Sequence, residues 1–245
     1  MDSTQDELLA ALGEDGRAWP HLSALRAERQ RRGRGRSGRV WQTEGVRALT
    51  VSYVLRPAAE VGQWGTLALR AGVAVTRALA EAGVEAWVKW PNDVVVAAGD
   101  LPGWHGIAKA GGVLGTVATD STGAHVCVLG IGLNLEGDPG LPGAASLGGD
   151  LDAGELTAGI ARHLGDLVSD TDPALPPLGE LMAGTCHTLG KRVVVTFPHE
   201  DPPREISGVA ARIDPDGALV VEAPGVCERI LSGDVAYTRL QAPLG

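Results

Sequence analysis

The residues of this chain best suited to chemistry carry fixed positive charge. Seven of the 21 lysine and arginine residues lie between Arg26 and Arg39, in a protein whose formal net charge is −9. Within that stretch Gly33, Gly35 and Gly38 alternate with Arg34, Arg36 and Arg39. Glycines let backbone N–H groups approach an anion closely, while guanidinium forks neutralise it. The chemistry on offer is therefore the capture of a phosphate or carboxylate. The spacing Gly33-x-Gly35-x-x-Gly38 also matches the dinucleotide fingerprint in form. It follows Arg-Gln-Arg-Arg instead of a buried strand, however, and no apolar helix begins after it. A disordered Arg/Gly segment is the bland alternative. Against it, the run lies between folded segments and ends in Val40-Trp41.

Three further clusters follow. Lys89-Trp90-Pro91-Asn92-Asp93 packs a cation, an indole, a rigid ring, an amide and a carboxylate into one turn. Asn92 can bond a base edge or simply cap a β-turn. Lys109-Ala-Gly-Gly112-Val-Leu114 places an ammonium beside backbone that a ligand can touch. Gly130-Ile-Gly132-Leu-Asn134 puts two glycines on one face of an apolar strand. Such glycines mark either the close approach of a ligand or a bulge. The chain has 18 arginines and only Lys89, Lys109 and Lys191, so a lysine held against that bias suggests a need for a compact ammonium. There is no Gly-x-Ser-x-Gly, the six histidines are dispersed, and no His/Asp/Glu cluster has metal spacing. Catalysis would then rest on orientation and electrostatics.

The elements that must position these clusters are legible in outline. Residues 3–12 read as a helix capped by Ser3 or Thr4 and ended by Gly13. Residues 21–30 are ambiguous between helix and strand, and the Arg/Gly run to Gly38 reads as a loop. Residues 48–56 are dense in β-formers and stop at Pro57. Residues 62–83 show helical spacing of Leu67, Ala71, Val75 and Leu79 before a glycine stop. Strands are expected at 85–90, 93–98, 110–119 and 125–135. Their connections are too short for crossover helices, which predicts an antiparallel meander. Residues 137–154 form a Gly/Pro-rich loop, 156–167 a helix, and 178–182 the start of another. Five short strands from 191 to 240 predict a small C-terminal β-barrel.

Composition narrows the class. A 44% hydrophobic fraction over 245 residues fills one or two cored domains. A sequence pI near 5.1 argues against a general nucleic-acid binder. Three scattered cysteines, a polar acidic start and no long apolar run point to a cytoplasmic protein without membrane spans.

Taken together, in order and spacing, the four clusters resemble the biotin protein ligases. That family carries a Gly-Arg-Gly-Arg-x-Gly-Arg-x-Trp loop, matched by Gly33 to Trp41, and Lys-Trp-Pro-Asn-Asp, matched at every letter by Lys89 to Asp93. Its Lys-x-x-Gly-(Ile/Val)-Leu and Gly-x-Gly-x-Asn motifs are matched by Lys109 to Leu114 and Gly130 to Asn134. Ser3-Thr4 resembles its Ser-Thr pair, although Gln5 stands where Asn is usual, and Ala144 to Leu147 resembles its segment after the adenylate loop. The resemblance implies an α+β fold. It has a class II synthetase-like catalytic domain over residues 1–187, built on a mixed, largely antiparallel sheet with flanking helices. An SH3-like barrel would span 188–245.

It implies ATP-dependent activation of biotin as biotinyl-5′-AMP and transfer to a lysine of a biotin carboxyl carrier protein of acyl-CoA carboxylase. Lys109, Arg36 and Arg34 would be catalytic. Ser3, Thr4, Gln30, Gly33, Gly112, Gly130 and Gly132 would bind biotin. Asn92, Asn134, Trp41, Arg39 and Arg239 would bind the nucleotide. Mg²⁺ would accompany ATP, with Asp93 as a candidate ligand. No winged helix-turn-helix precedes the motifs, so DNA binding is not expected, and the protein would be a monomer or weak homodimer. A lipoate or octanoate ligase of related fold is the neighbouring alternative. An Arg/Gly RNA-binding module is the alternative of another class, disfavoured by the near absence of aromatics beside the arginines.

Overall fold

The computed structural model describes residues 1–99, 104–197 and 202–238. The chain begins with helix α1 (Thr4–Glu14), capped by Ser3, whose hydroxyl accepts from the Asp6 N–H. Strand β1 (Ala24–Ala27) leads to β2 (Gly33–Arg34) and β3 (Val40–Trp41). Then come β4 (Val46–Leu55), α2 (Leu67–Glu81), β5 (Trp87–Lys89), β6 (Asp93–Ala97), β7 (Ile107–Thr119) and β8 (His125–Gly137). Helices α3 (Ala153–Leu167) and α4 (Leu178–Ala183) precede β9 (Arg192–Phe197), β10 (Arg204–Ile213), β11 (Leu219–Ala223), β12 (Val226–Ile230) and β13 (Asp234–Tyr237).

Six strands form one antiparallel sheet in the order β1-β4-β8-β7-β6-β5. The expected meander is its last four strands, β8 to β5. Strand β4 is buried on both faces from Ala48 to Leu55 because both are covered. Leu49, Val51, Tyr53 and Leu55 face the main core with α2 and α3, while Val54 packs with Leu8 and Leu12 of α1 and with Val126 and Val128 of β8. The alternation is the period-two geometry of a strand between two layers. Tyr53 Oη donates to Thr157 O of α3 at 2.8 Å, which satisfies the buried hydroxyl.

Several elements differ from the sequence-based expectation. The ambiguous stretch at 21–30 resolves as edge strand β1, paired with β4 from Ala24↔Tyr53 to Ala27↔Thr50. The helix expected over 62–83 starts with a 3₁₀ segment (Val61–Thr66), and α2 proper begins at Leu67. Gly62 and Gly65 lie in that segment, where their backbone freedom disfavours an α-helix. The Arg/Gly loop is an ordered ribbon, with Gly33↔Trp41 and Arg34↔Val40 paired across a turn in which Ser37 has φ 56°. The connection expected at 99–106 and the strand end at 239–240 lie partly outside the described residues.

The second sheet has the order β12-β11-β10-β9-β13. It is antiparallel and open: β12 and β13 each pair on one side only, so the hydrogen-bonded barrel expected from sequence is not closed among the described residues. Its apolar face continues the main core, with Val193, Val195, Ile213, Leu219 and Tyr237 in one cluster with Trp90 and Met182. Trp90 ties the two sheets. Its backbone N–H donates to Thr188 Oγ1 and its indole N–H to Gly217 O, both at 3.0 Å. Among the described residues no helix is long and apolar enough to cross a membrane.

Candidate active site

A cavity of about 380 Å³ opens where α1, the β2–β3 ribbon, the β7–β8 strands and the start of β13 meet. That volume suits a small-molecule site. Its floor is the paired backbone of β7 and β8. Gly112 lies opposite Gly132 and Leu114 opposite Gly130, in a register with no break at these glycines. The bulge alternative therefore does not apply here; the glycines make room. A methyl at Gly132 would lie 2.6 Å from the Trp41 indole, and one at Gly130 would touch the Gln5 amide at 3.5 Å.

One end of the cavity is neutral and polar. Gln30 Oε1 accepts from the Thr4 N–H at 2.6 Å and from Thr4 Oγ1 at 3.1 Å, and Thr4 Oγ1 lies 2.8 Å from Ser52 Oγ. Gln5 Nε2 reaches Leu114 O, Thr116 Oγ1 and Val128 O at 3.1–3.2 Å, which stitches α1 to β7 and β8. Ser3, Thr4 and Gln5 are all buried. The Arg31 and Arg32 N–H groups donate to Met1 O and Asp2 O, so the arginine run is pinned to the segment before α1.

The other end is cationic. Lys109 Nζ lies 2.5 Å from Asp93 Oδ1, and Lys89 Nζ lies 3.9 Å from Asp93 Oδ2. Lys89 is buried, with its ammonium 5.0 Å from the Trp104 ring centre; burial pushes its pKa down, and Asp93 opposes that shift. The backbone of Lys109 is clamped by Gly143 O, which accepts from its N–H at 2.7 Å, and by the Ala145 N–H, which donates to its carbonyl at 2.9 Å. Above, Arg34 pairs with Asp6 at 2.9 Å. Arg36 donates to Gly233 O at 2.6 Å and lies 3.3 Å from Asp234, and Arg39 lies 2.7 Å from Asp234. Burial pushes the Asp234 carboxyl up, yet Arg39 and Arg36 outweigh it and hold it below its usual value. Five cations against Asp93 and Asp234 leave this lining positive in an acidic protein.

Two buried polar atoms in the lining have no partner among the described residues: Asn134 Oδ1 and Trp41 Nε1. Buried polar groups are normally satisfied, so an acceptor and a donor left open in a cavity wall are capacity for a ligand. The donor side of Asn134 is already used on Ala145 O at 3.1 Å, and Asn92 Nδ2 donates to Val113 O at 2.9 Å.

Ser3, Thr4, Gln30, Arg34, Arg36, Arg39, Trp41, Asn92, Lys109, Gly112, Gly130, Gly132 and Asn134 are brought together around this one cavity. Gly33 is not among its lining residues. It lies in β2, where a side chain would strike Trp41 O at 2.6 Å, so this glycine serves the ribbon and not the floor. Arg239 lies outside the described residues. Asp93 does line the cavity, but its two oxygens already face two ammonium groups, and a cation bound there would have to displace Lys109. The residues present thus do not fit a metal centred on Asp93. Sequence reasoning does not single out Gln5, Ser52, Trp104, Gly233 or Asp234 as site residues. For Asp234 the only local signal is the turn Ser232-Gly233-Asp234, and nothing in it points to a site nearly 200 residues upstream. Lys89 is visible as part of its motif and as one of three lysines.

An antiparallel sheet with a positive cavity roofed by an arginine ribbon defines a site with the charge to receive anionic groups. The chain belongs to the biotin/lipoate A/B protein ligase family, whose model matches residues 2–134. It is similar to the biotin--[acetyl-CoA-carboxylase] ligase of Mycobacterium tuberculosis, 31% identical over 226 residues that cover 88% of this chain and 79% of that protein. The corresponding ligase of Paracoccus denitrificans is 28% identical over 253 residues, covering 96% and 97%. Among solved structures, biotin protein ligase from Aquifex aeolicus in complex with biotin and ATP has a TM-score of 0.69 and 25% identity, covering 97% of this chain and 95% of that one.

Proposed function

We propose that this protein is an ATP-dependent ligase that activates biotin as biotinyl-5′-AMP and transfers it to a lysine of a biotin carboxyl carrier protein. The observation that carries this reading is the division of one cavity into a neutral hydrogen-bonding end and a cationic end. Biotin's ureido ring suits Ser3, Thr4, Gln30 and the Gly112/Gly130/Gly132 floor, with its carboxylate directed toward Lys109. The nucleotide's phosphates suit Arg34, Arg36, Arg39 and Lys109, and its base suits the open acceptor of Asn134, with Trp41 and Asn92 beside it.

In the first step a biotin carboxylate oxygen attacks the α-phosphorus and pyrophosphate leaves with the electrons of the broken P–O bond. In the second, the carrier's lysine amine attacks the acyl carbon, AMP departs, and the amine loses its proton. Two unit charges about 4 Å apart repel by roughly 4 kcal/mol at an effective dielectric near 20. The cationic lining offsets that repulsion where the anions meet. Mg²⁺ would accompany ATP and would supply further charge neutralisation.

In the same reading residues 1–187 form the catalytic domain and residues 188–245 an SH3-like module, in a cytoplasmic monomer or weak homodimer that does not bind DNA. Titration calorimetry with biotin, with and without ATP, tests the assignment. Binding of biotin and transfer of label to a biotin carboxyl carrier domain are expected. A preference for lipoate or octanoate would move the protein to the sister activity. A steep, salt-dependent affinity for RNA would move it out of the class.

A further inference from the structure

Two arginines of the β2–β3 ribbon converge on one carboxylate of the other sheet. Arg39 Nη2 lies 2.7 Å and Arg36 Nη2 3.3 Å from the same oxygen, Asp234 Oδ1, and Arg36 also donates to Gly233 O at 2.6 Å. Asp234 begins β13, and Gly233, Asp234 and Val235 belong to the cavity lining. The ribbon is therefore tied across the cavity by charge. Two guanidinium groups gathered on one anionic oxygen is also the arrangement a phosphate oxygen takes. The side chains of Asp234 and Arg39 are 45% and 61% exposed, so their pairing is of the weak, exchangeable kind.

We propose that Asp234 is a latch that substrate phosphate replaces. It holds the Arg36–Arg39 turn across the cavity when no nucleotide is bound, and it yields both guanidinium groups to the phosphates when nucleotide arrives. The proposal rests on the ligase reading and adds to it a positioning residue on the C-terminal sheet, one that acts through the arginines and does not touch the reacting atoms. The two arginines differ in their dependence on it. Arg36 keeps the carbonyl of Gly233 when the carboxylate is gone, which leaves it over the cavity. The Arg39 side chain is held by Asp234 alone among the described residues.

Limited trypsin digestion, with cleavage after Arg36 and Arg39 quantified by mass spectrometry, tests the latch. Without nucleotide, Asp234→Asn is expected to cleave severalfold faster than the unmodified protein, because local opening sets the rate, while Asp234→Glu stays near the unmodified rate. With Mg·ATP present, Asp234→Asn is expected to return to the slow rate of the unmodified protein. Equal cleavage of the Asp234→Asn variant and the unmodified protein without nucleotide overturns the latch. Fast cleavage that persists with Mg·ATP overturns the exchange, since the carboxylate would then hold the ribbon in both states. Should Asp234→Asn fail to fold, Asp234→Ser removes the same carboxylate, and cleavage after Arg39, whose side chain depends on it, reads the result. Biotin calorimetry is independent of this assay: absence of biotin binding would sink the ligase reading while the digestion still decides the latch.

Discussion

Trp41 lies directly on Gly132: a methyl group built at that glycine comes within 2.6 Å of the indole Cε2. The contact joins the arginine ribbon to the cavity floor, so the position of the roof depends on the absence of one side chain in β8. Gly132→Ala is expected to push Trp41 off its seat. An increase of about tenfold in KM for nucleotide, with a fall in Tm of no more than about 4 °C, is the expected pattern for a misplaced wall in an intact fold. Unchanged steady-state kinetics would show that the indole contact is incidental.

Lys109 lines the cationic end of the cavity with its backbone clamped on both sides, and in the proposed reading the two anions meet beside it. Lys109→Ala is expected to lower the rate of adenylate formation by about 10²–10³, the loss usual for one charge-stabilising donor. Biotin-dependent release of pyrophosphate, followed in a single turnover, is the measurement. A rate near that of the unmodified protein would rule Lys109 out of the step.

Arg36 bridges the ribbon to β13 and forms part of the cavity lid. In the proposed reading the ribbon closes over the intermediate, so Arg36→Gly is expected to let the reactive adenylate escape. The readout is biotin label on a bystander protein such as serum albumin. Labelling no higher than with the unmodified protein would refute the retention role.

Acid stability is expected to depend on Asp120, in the turn between β7 and β8. Its Oδ1 accepts from the Thr122 hydroxyl at 2.6 Å and N–H at 2.8 Å and from the Ala124 N–H at 3.2 Å, and its Oδ2 lies 2.7 Å from Arg56 Nη1. The Thr122 hydroxyl bond leads, with Arg56 beside it, in holding this carboxyl well below the usual carboxylate range, against burial. A lowered folded pKa gives stability that is complete above the unfolded value near 4 and is lost as pH falls below it. Asp120→Asn should therefore lower Tm at pH 7 and flatten its decline below about pH 4. His21 has the same sign at higher pH. Its Nδ1 accepts from the Arg56 N–H, its Nε2 donates to Val168 O, and burial lowers its pKa, so its contribution is full above about pH 6.5 and lost as pH falls below that. A Tm profile for Asp120→Asn that parallels the unmodified protein would refute the carboxylate's role.

Local chemistry carries much of the molecule into view. The β-rich runs, their short connections and the glycine stops are enough to expect the β5–β8 meander, because antiparallel neighbours need only tight turns. The four motifs supply 18 of the 31 residues that line the cavity, since arginines, lysines and glycines at such density have few structural uses. Edge strand β1 is not resolvable from residues 21–30, because four residues with helical propensity become a strand only through pairing with β4.

What the sequence by itself determined is the inventory of the site and its charge: which guanidinium and ammonium groups exist, and which glycines leave room beside them. Only the tertiary structure decided their geometry. It placed Gly33 under Trp41 instead of in the cavity floor, set Asp93 between two lysines, and brought Asp234 across to the arginine ribbon. The physical reason is range. Propensity and spacing act over a few residues, whereas a cavity wall is made by sheet register and by packing between segments nearly 200 positions apart.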